Sequence, residues 1–302
     1  MGDVKTPGRI LFVHAHPDDE SSQSAGTLSR YVAEGAHVTL VTCTLGELGE
    51  ILVPEWAHFT PAELGAHRVA ELAAALAIMG VTDHVWLGGQ GRYHDSGMAR
   101  DEHGEACPPD ELPADAFWAA DLLEAANHLV AVIRDRRPHV VSTYDTIGGY
   151  GHPDHVQAHR VTMYACLLAG VPAHRPDLGE PWRIPRVLWS THNFTKWREA
   201  VELSRQRGLS IFADDDSARA NRGADPAMVD AIVPYGDYLQ QATEALLVHR
   251  SQVDATDEFW QFFDIMRHLE GSGEAYLFAA GQPFPPGDGP VDDLFSGLDL
   301  DT

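Results

Sequence analysis

Two short stretches of this chain concentrate side chains that bind metals and move protons. His14-Ala15-His16-Pro17-Asp18-Asp19-Glu20 follows the apolar run Ile10-Leu11-Phe12-Val13, so two imidazoles and three carboxylates stand where a buried strand should end. Tyr150-Gly151-His152-Pro153-Asp154-His155 lies downstream of a second apolar run at Val140-Val141. Open α/β sheets bind ligands in loops at the carboxyl ends of their strands, so the two stretches read as halves of one site. Catalytic zinc takes three His or carboxylate ligands and keeps one position open. His16 and Asp19 can supply two from a single turn, with His155 arriving from the other cluster. The same set suits non-haem iron, so residue types alone leave Zn2+ and Fe2+ both open. Asp18, beside a ligand, is where a general base for water would sit.

Other assignments compete with these. Taken alone, His-Pro-Asp-Asp could be a turn with helix-capping aspartates; the second cluster favours the metal. His14 shares a strand face with His16, as a rival ligand or a hydrogen-bonded support. His155 and His159 are spaced i, i+4 on one expected helix, although a His159 without a metal role is the simpler reading.

The elements that must position these residues can be traced by periodicity. Arg9 to His14, His37 to Thr44, Val85 to Leu87 and His139 to Tyr144 read as strands. Helices are expected over Ser24 to Glu34, Glu63 to Met79, Phe117 to Arg136 and Asp154 to Leu168, with Gly35 and Gly80 as C-terminal stops and Pro138 closing the third. The alternation predicts α/β architecture: a Rossmann-like, mostly parallel sheet with helices on both faces, plus a smaller mixed C-terminal region. Gly88 to Asp115, rich in Gly, Pro and charge, reads as a long loop that could close over a substrate. The softest boundary is expected at Val171 to Trp182, dividing residues 1–172 from a region 173–302 that completes the sheet and pocket. Beyond it, Arg186 to Thr191 looks like a strand, and Tyr238 to Val248 and Asp257 to Leu269 look helical. An acidic tail from about residue 282, with five aspartates, is expected to be poorly ordered.

Composition sets the outer limits. The 302 residues carry 45 acidic against 21 basic side chains, a formal charge of -24, which disfavours nucleic acid or an acidic membrane as partner. Cys43, Cys107 and Cys166 are too few and too scattered for a disulfide framework or a cysteine zinc knuckle, and read as reduced thiols of a cytoplasmic protein. No apolar stretch approaches the roughly 20 residues of a membrane span. Met1-Gly2 through Thr6 fits only the loose myristoylation pattern. A small-molecule partner is expected, with oligomeric state open.

Ala15-His16-Pro17-Asp18-Asp19-Glu20 together with Gly151-His152-Pro153-Asp154-His155 resembles the zinc-dependent N-acetylglucosaminyl deacetylase superfamily. The segments Thr42 to Glu47, His67 to Leu72, Arg92 to Met98 and Gly148 to Gly151 resemble its mycothiol-biosynthesis branch, which removes acetate from N-acetyl-glucosaminyl-inositol. The resemblance covers roughly residues 9 to 170. It implies a hydrolase with one zinc per chain held by His16, Asp19 and His155, and with Asp18 as general base. It also implies Tyr150 and His152 facing the substrate carbonyl, and Arg68 and Asp95, with Glu47, at the sugar. On this reading Tyr150 steadies the oxyanion, while His152, oriented by Asp154, delivers a proton to the departing amine. A mycothiol S-conjugate amidase would use the same metal chemistry, but Ser21-Ser22-Gln23-Ser24 stands where a lysine is expected in that branch. From other classes, a non-haem iron oxygenase or a metal-dependent sugar-binding module would use the same ligand types.

Overall fold

The computed structural model describes residues 7–210 and 224–301. Its centre is a seven-stranded sheet in the order β3-β2-β1-β6-β7-β9-β8. The strands are β1 (Arg9–His14), β2 (His37–Thr42), β3 (Asp83–Trp86), β6 (Val140–Tyr144), β7 (Arg186–Thr191), β8 (Ala231–Pro234) and β9 (Gly273–Gly281). From β3 to β7 all neighbours are parallel, whereas β9 runs antiparallel to both β7 and β8. A separate two-stranded ribbon, β4 (Ala99–Arg100) with β5 (Ala106–Cys107), lies within the long loop.

β1 shows why the sheet is buried on both sides. Ile10 and Phe12 join one apolar cluster, with Leu28, Leu72, Leu76 and Met79 from α2 (Ala25–Ala33) and α3 (Pro61–Met79). Leu11 and Val13 join the other, with Leu129 and Ile133 from α4 (Leu122–Arg136) and Val161 from α6 (Pro153–Ala169). Alternate side chains of one strand thus feed opposite layers, the pattern of a strand covered by helices on both faces. A third cluster, around Trp197, Phe262 and Met266, packs α7 (Phe194–Gln206) against α9 (Glu258–Arg267). Between them in sequence comes α8 (Leu239–Leu247).

The chain leaves β1 for β2 and β3 on one side, then returns to β6 and β7 on the other. The carboxyl ends of β1 and β6 therefore flank a topological switch point, the crevice where such sheets take ligands. Short helices follow both: α1 (Asp19–Gln23) after β1 and α5 (Gly148–Gly151) after β6.

Several expected bounds move for identifiable reasons. The helix expected from Phe117 is a 3-10 turn, Phe117–Ala119, followed by α4, because the Asp121 side chain accepts the Glu124 N–H and starts the helix there. The connection expected to be the softest boundary is pinned by Arg134. Its guanidinium reaches the carbonyls of Ala169, Val171, His174, Arg175 and Gly179, while β7 extends the same sheet beyond that connection. The tail expected to lie loose packs instead. Leu294 is fully buried, and the buried Arg186 gathers the carbonyls of Gln282, Pro283, Leu294 and Ser296. Its aspartates alternate with apolar residues that an average over the segment conceals.

Candidate active site

Asp19, the first residue of α1, stands between two imidazoles. Its Oδ2 is 3.3 Å from His16 Nδ1 and accepts the His16 N–H at 2.8 Å, while its Oδ1 is 3.3 Å from His155 Nε2. His16 comes from the end of β1 and His155 from the first turn of α6, so β1–β6 pairing brings the triad together. All three are at least nine-tenths buried. His155 Nε2 is buried without a hydrogen-bond partner, and its Nδ1 is turned to the Gly148 carbonyl. A buried ring nitrogen left unpaired beside a carboxylate fits a metal ligand, and the Gly148 bond supplies the support such a ligand usually has. His16, His152 and His155 also offer ligand atoms within 4.8 Å of one another, as do His16, Asp95 and Asp154.

Electrostatics favour a charged cluster. Burial works against ionisation of Asp19, but His155 and His16 outweigh it and hold the carboxyl well below its usual range. Burial likewise disfavours protonated His16, yet Asp95, Asp154 and Asp19 raise it well above an ordinary imidazole. Asp18 is less enclosed. Burial, with Asp19 adding to it and Arg68 opposing, pushes its carboxyl up to about 6.

Asp154 departs from its expected role. Its carboxylate does not reach His152; it accepts from Ser96 N and Oγ at 2.9 and 2.5 Å and faces His16 Nε2 at 3.2 Å. What orients His152 is the Asp154 backbone, whose N–H donates to His152 Nδ1 at 3.1 Å. That acceptor role puts the ring proton of a neutral His152 on Nε2. Burial, with His16 and His155 adding to it, pushes His152 down to about 2, contrary to the expectation of a protonated imidazole. Tyr150 stands half exposed beside the His155 and His152 rings, and burial of its hydroxyl with Asp19 nearby raises its pKa.

The residues expected at the sugar are turned inward. Arg68, only 3% exposed, donates to the carbonyls of Gly46 and Pro17 and to Asp18 Oδ2 at 3.1 Å. Asp95 accepts from Gly97 N and Leu48 N, and Glu47 accepts the Asp95 N–H. A cleft of about 320 Å3 opens over Asp18, Asp19, Tyr150 and His155 and runs toward Lys196 and Trp260; Arg68, Asp95 and Glu47 do not line it. They hold together the loops beneath. The segment His94 to Ser96 of the long loop is likewise fixed under the site through Asp115, Glu47 and Asp154, so this part of the loop is a wall.

His14 bonds Ser24 Oγ at 2.8 Å, and burial pushes it down to about 4, so it supports the strand end from outside the His16, Asp19 and His155 group. His159 turns to the Tyr144 carbonyl. Three contributors escaped sequence reasoning. Ser96 holds Asp154, and Tyr144 stacks on His155 with ring centroids 4.2 Å apart while its hydroxyl accepts the Ala15 N–H. His249 lies 2.8 Å from Glu20. Ser96 sits inside the quoted Arg92 to Met98 segment and Tyr144 ends an expected strand, so position offered a signal for both; His249 offered none.

Residues 11–166 match the family model described as PIG-L: GlcNAc-PI de-N-acetylase. Over 296 residues the chain is 46% identical to a 1D-myo-inositol 2-acetamido-2-deoxy-alpha-D-glucopyranoside deacetylase of Kribbella flavida, covering 96% of this chain and 98% of that protein. Among solved structures it is similar to an N,N'-diacetylchitobiose deacetylase from Pyrococcus horikoshii, at TM-score 0.62 and 18% identity, over 92% of this chain and 87% of that one. It is also similar to GalB, a 4-carboxy-2-hydroxymuconate hydratase from Pseudomonas putida, at TM-score 0.61 and 15% identity, over 92% of this chain and 99% of that one. A hydratase on the same scaffold means that the fold by itself does not select the reaction. The family match spans both loops of the candidate site, at the ends of β1 and β6, and the near full-length identity extends it across the C-terminal strands: the chain belongs to the PIG-L GlcNAc-PI de-N-acetylase family.

Proposed function

We propose that this protein hydrolyses the acetamide of a 1D-myo-inositol 2-acetamido-2-deoxy-alpha-D-glucopyranoside, releasing acetate and the free amine of the sugar-inositol, a step of mycothiol biosynthesis. The observation that carries this is Asp19 standing between His16 and His155 with Asp18 beside it, above an open cleft. His16, Asp19 and His155 would hold one Zn2+, with Fe2+ as the alternative those ligands accept. When bound, the ion supplies Lewis acidity that polarises the amide carbonyl and makes water easier to deprotonate.

The remaining chemistry belongs to side chains. Asp18, held by Arg68, accepts a proton from the attacking water as the C–O bond forms. The Nε2–H of neutral His152 and the Tyr150 hydroxyl donate to the carbonyl oxygen as it gains charge. Because His152 carries no second proton to give, the proton reaching the amine nitrogen as the C–N bond breaks is the one Asp18 took up. Asp154 holds His16 through Nε2, leaving Nδ1 turned to Asp19. Arg68, Asp95 and Glu47 serve recognition by shaping the loops under the sugar.

The test is acetate release from N-acetyl-glucosaminyl-inositol by protein stripped of metal and then reloaded with zinc. The expected result is one acetate per amine formed, lost on stripping and regained on reloading; no acetate under either condition overturns the proposal. A mycothiol S-conjugate run in parallel separates the amidase reading, which requires the conjugate to be cleaved faster.

A further inference from the structure

Asp18 has φ 107° and ψ -29°, one of three non-glycine residues with positive φ among the described residues. An L-residue keeps such a backbone only where its surroundings over-determine it. Two arms do so. In the first, the Asp18 N–H donates to Glu20 Oε2 at 3.0 Å. Glu20 is fully buried, and its Oε1 is gripped by Ser21 Oγ and, at 2.8 Å, by His249 Nε2. A carboxylate only accepts, so the imidazole donates. His249 is itself fully buried and lies just beyond α8, 229 residues along the chain from Glu20.

In the second arm, Arg68 of α3 donates to the Pro17 carbonyl and to Asp18 Oδ2. One turn further along α3, Glu71 accepts the Ser251 N–H at 2.8 Å and its Oγ at 2.6 Å. The short stretch from His249 to Ser251 is therefore joined to both arms that end on Asp18.

We infer that His249 is a positioning residue for the reaction: acting through Glu20, it fixes the backbone of Asp18 and so aims the carboxylate that moves the proton. It does not line the cleft, and its ring bonds Glu20 rather than His16, Asp19 or His155. This rests on Asp18 being the base in the function proposed above. Misplacing a reacting group by an ångström can cost about 100-fold in rate. Removing the His249 donor should therefore act on turnover and leave substrate and metal affinity alone.

The experiment is a double-mutant cycle with zinc-loaded enzyme. His249→Phe should lower kcat about 10- to 100-fold, with KM and zinc affinity, read by competition with a chromophoric chelator, within about twofold. His249→Gln, whose amide N–H can donate to Glu20, should recover most of that rate. In an Asp18→Asn background, His249→Phe should change the residual rate by less than about twofold, because the group it aims is gone. An equal fold-loss in both backgrounds, or a loss expressed in KM or in zinc affinity, overturns the inference. A crystal structure of His249→Phe supplies a readout independent of substrate: the Asp18 N–H to Glu20 bond should be broken and φ displaced, and an unchanged Asp18 backbone overturns the inference. Should wild type release no acetate, the proposed function fails, while the Asp18 geometry in the two variants still decides the role of His249. If His249→Phe does not fold, His249→Asn, too short to reach Glu20, replaces it in both arms.

Discussion

A carboxylate placed to move protons and an imidazole placed to hold a metal should fail differently when changed. Asp18→Asn keeps the shape and the Arg68 contact but cannot take a proton, so kcat should fall about 100- to 10,000-fold at unchanged metal content, measured by acetate release and metal analysis. His155→Ala removes the buried Nε2 that faces Asp19, so zinc affinity should drop first, with activity regained in part at raised zinc. Tyr150→Phe should cost about 10- to 100-fold in kcat with KM little changed, since its hydroxyl would act on charge that develops during reaction. Residue type and tight spacing made His16, Asp18, Asp19 and His155 legible as candidates. The orientation of Asp154 was not, because it is set by Ser96, 58 residues away, through a bond that no local pattern encodes.

At the scale of elements, α3 matters because it carries both Arg68 and Glu71. Its start is a capping box: Thr60 accepts the Glu63 N–H while the Glu63 carboxylate accepts the Thr60 N–H. Thr60→Ala should destabilise the protein by about 1 kcal/mol, seen as a lower urea midpoint with little effect on kcat. Gly46 has φ 70° and a Cβ there would strike the Arg68 guanidinium, so Gly46→Ala should lower kcat as well as stability. β1, β2, β6 and β7 were visible because each carries a buried apolar run, whereas β3 is a half-buried edge strand that shows only Val85-Trp86 as apolar. α7, β8 and β9 were not: α7 is largely polar, and β9 contains three alanines and glycine at both ends, composition that gives weak strand propensity. What makes β9 a strand is pairing on both sides, with β7 and β8.

For the whole molecule, the doubly wound topology explains why one site draws on distant sequence: β1 and β6 are neighbours at the switch point. The C-terminal half then encloses it. Ending the chain after residue 282 would strip Leu294 from the core and several carbonyls from the buried Arg186, a loss of about 5 kcal/mol or more. That is comparable to the net stability of a typical domain, so the truncated protein should show no cooperative thermal transition.

The Glu20–His249 bond also bears on synthesis. A growing chain has made every proposed ligand once His155 is added, yet His249 follows about ninety residues later, roughly 5 to 20 s at ordinary elongation rates. During that interval nothing stands behind Glu20 to hold Asp18 in its left-handed backbone, and the strands and tail that complete the sheet are still to be made. The proposed base is thus set only when the C-terminal part of the chain folds back onto the end of β1, so competence belongs to the finished molecule and not to the N-terminal half that carries the proposed ligands.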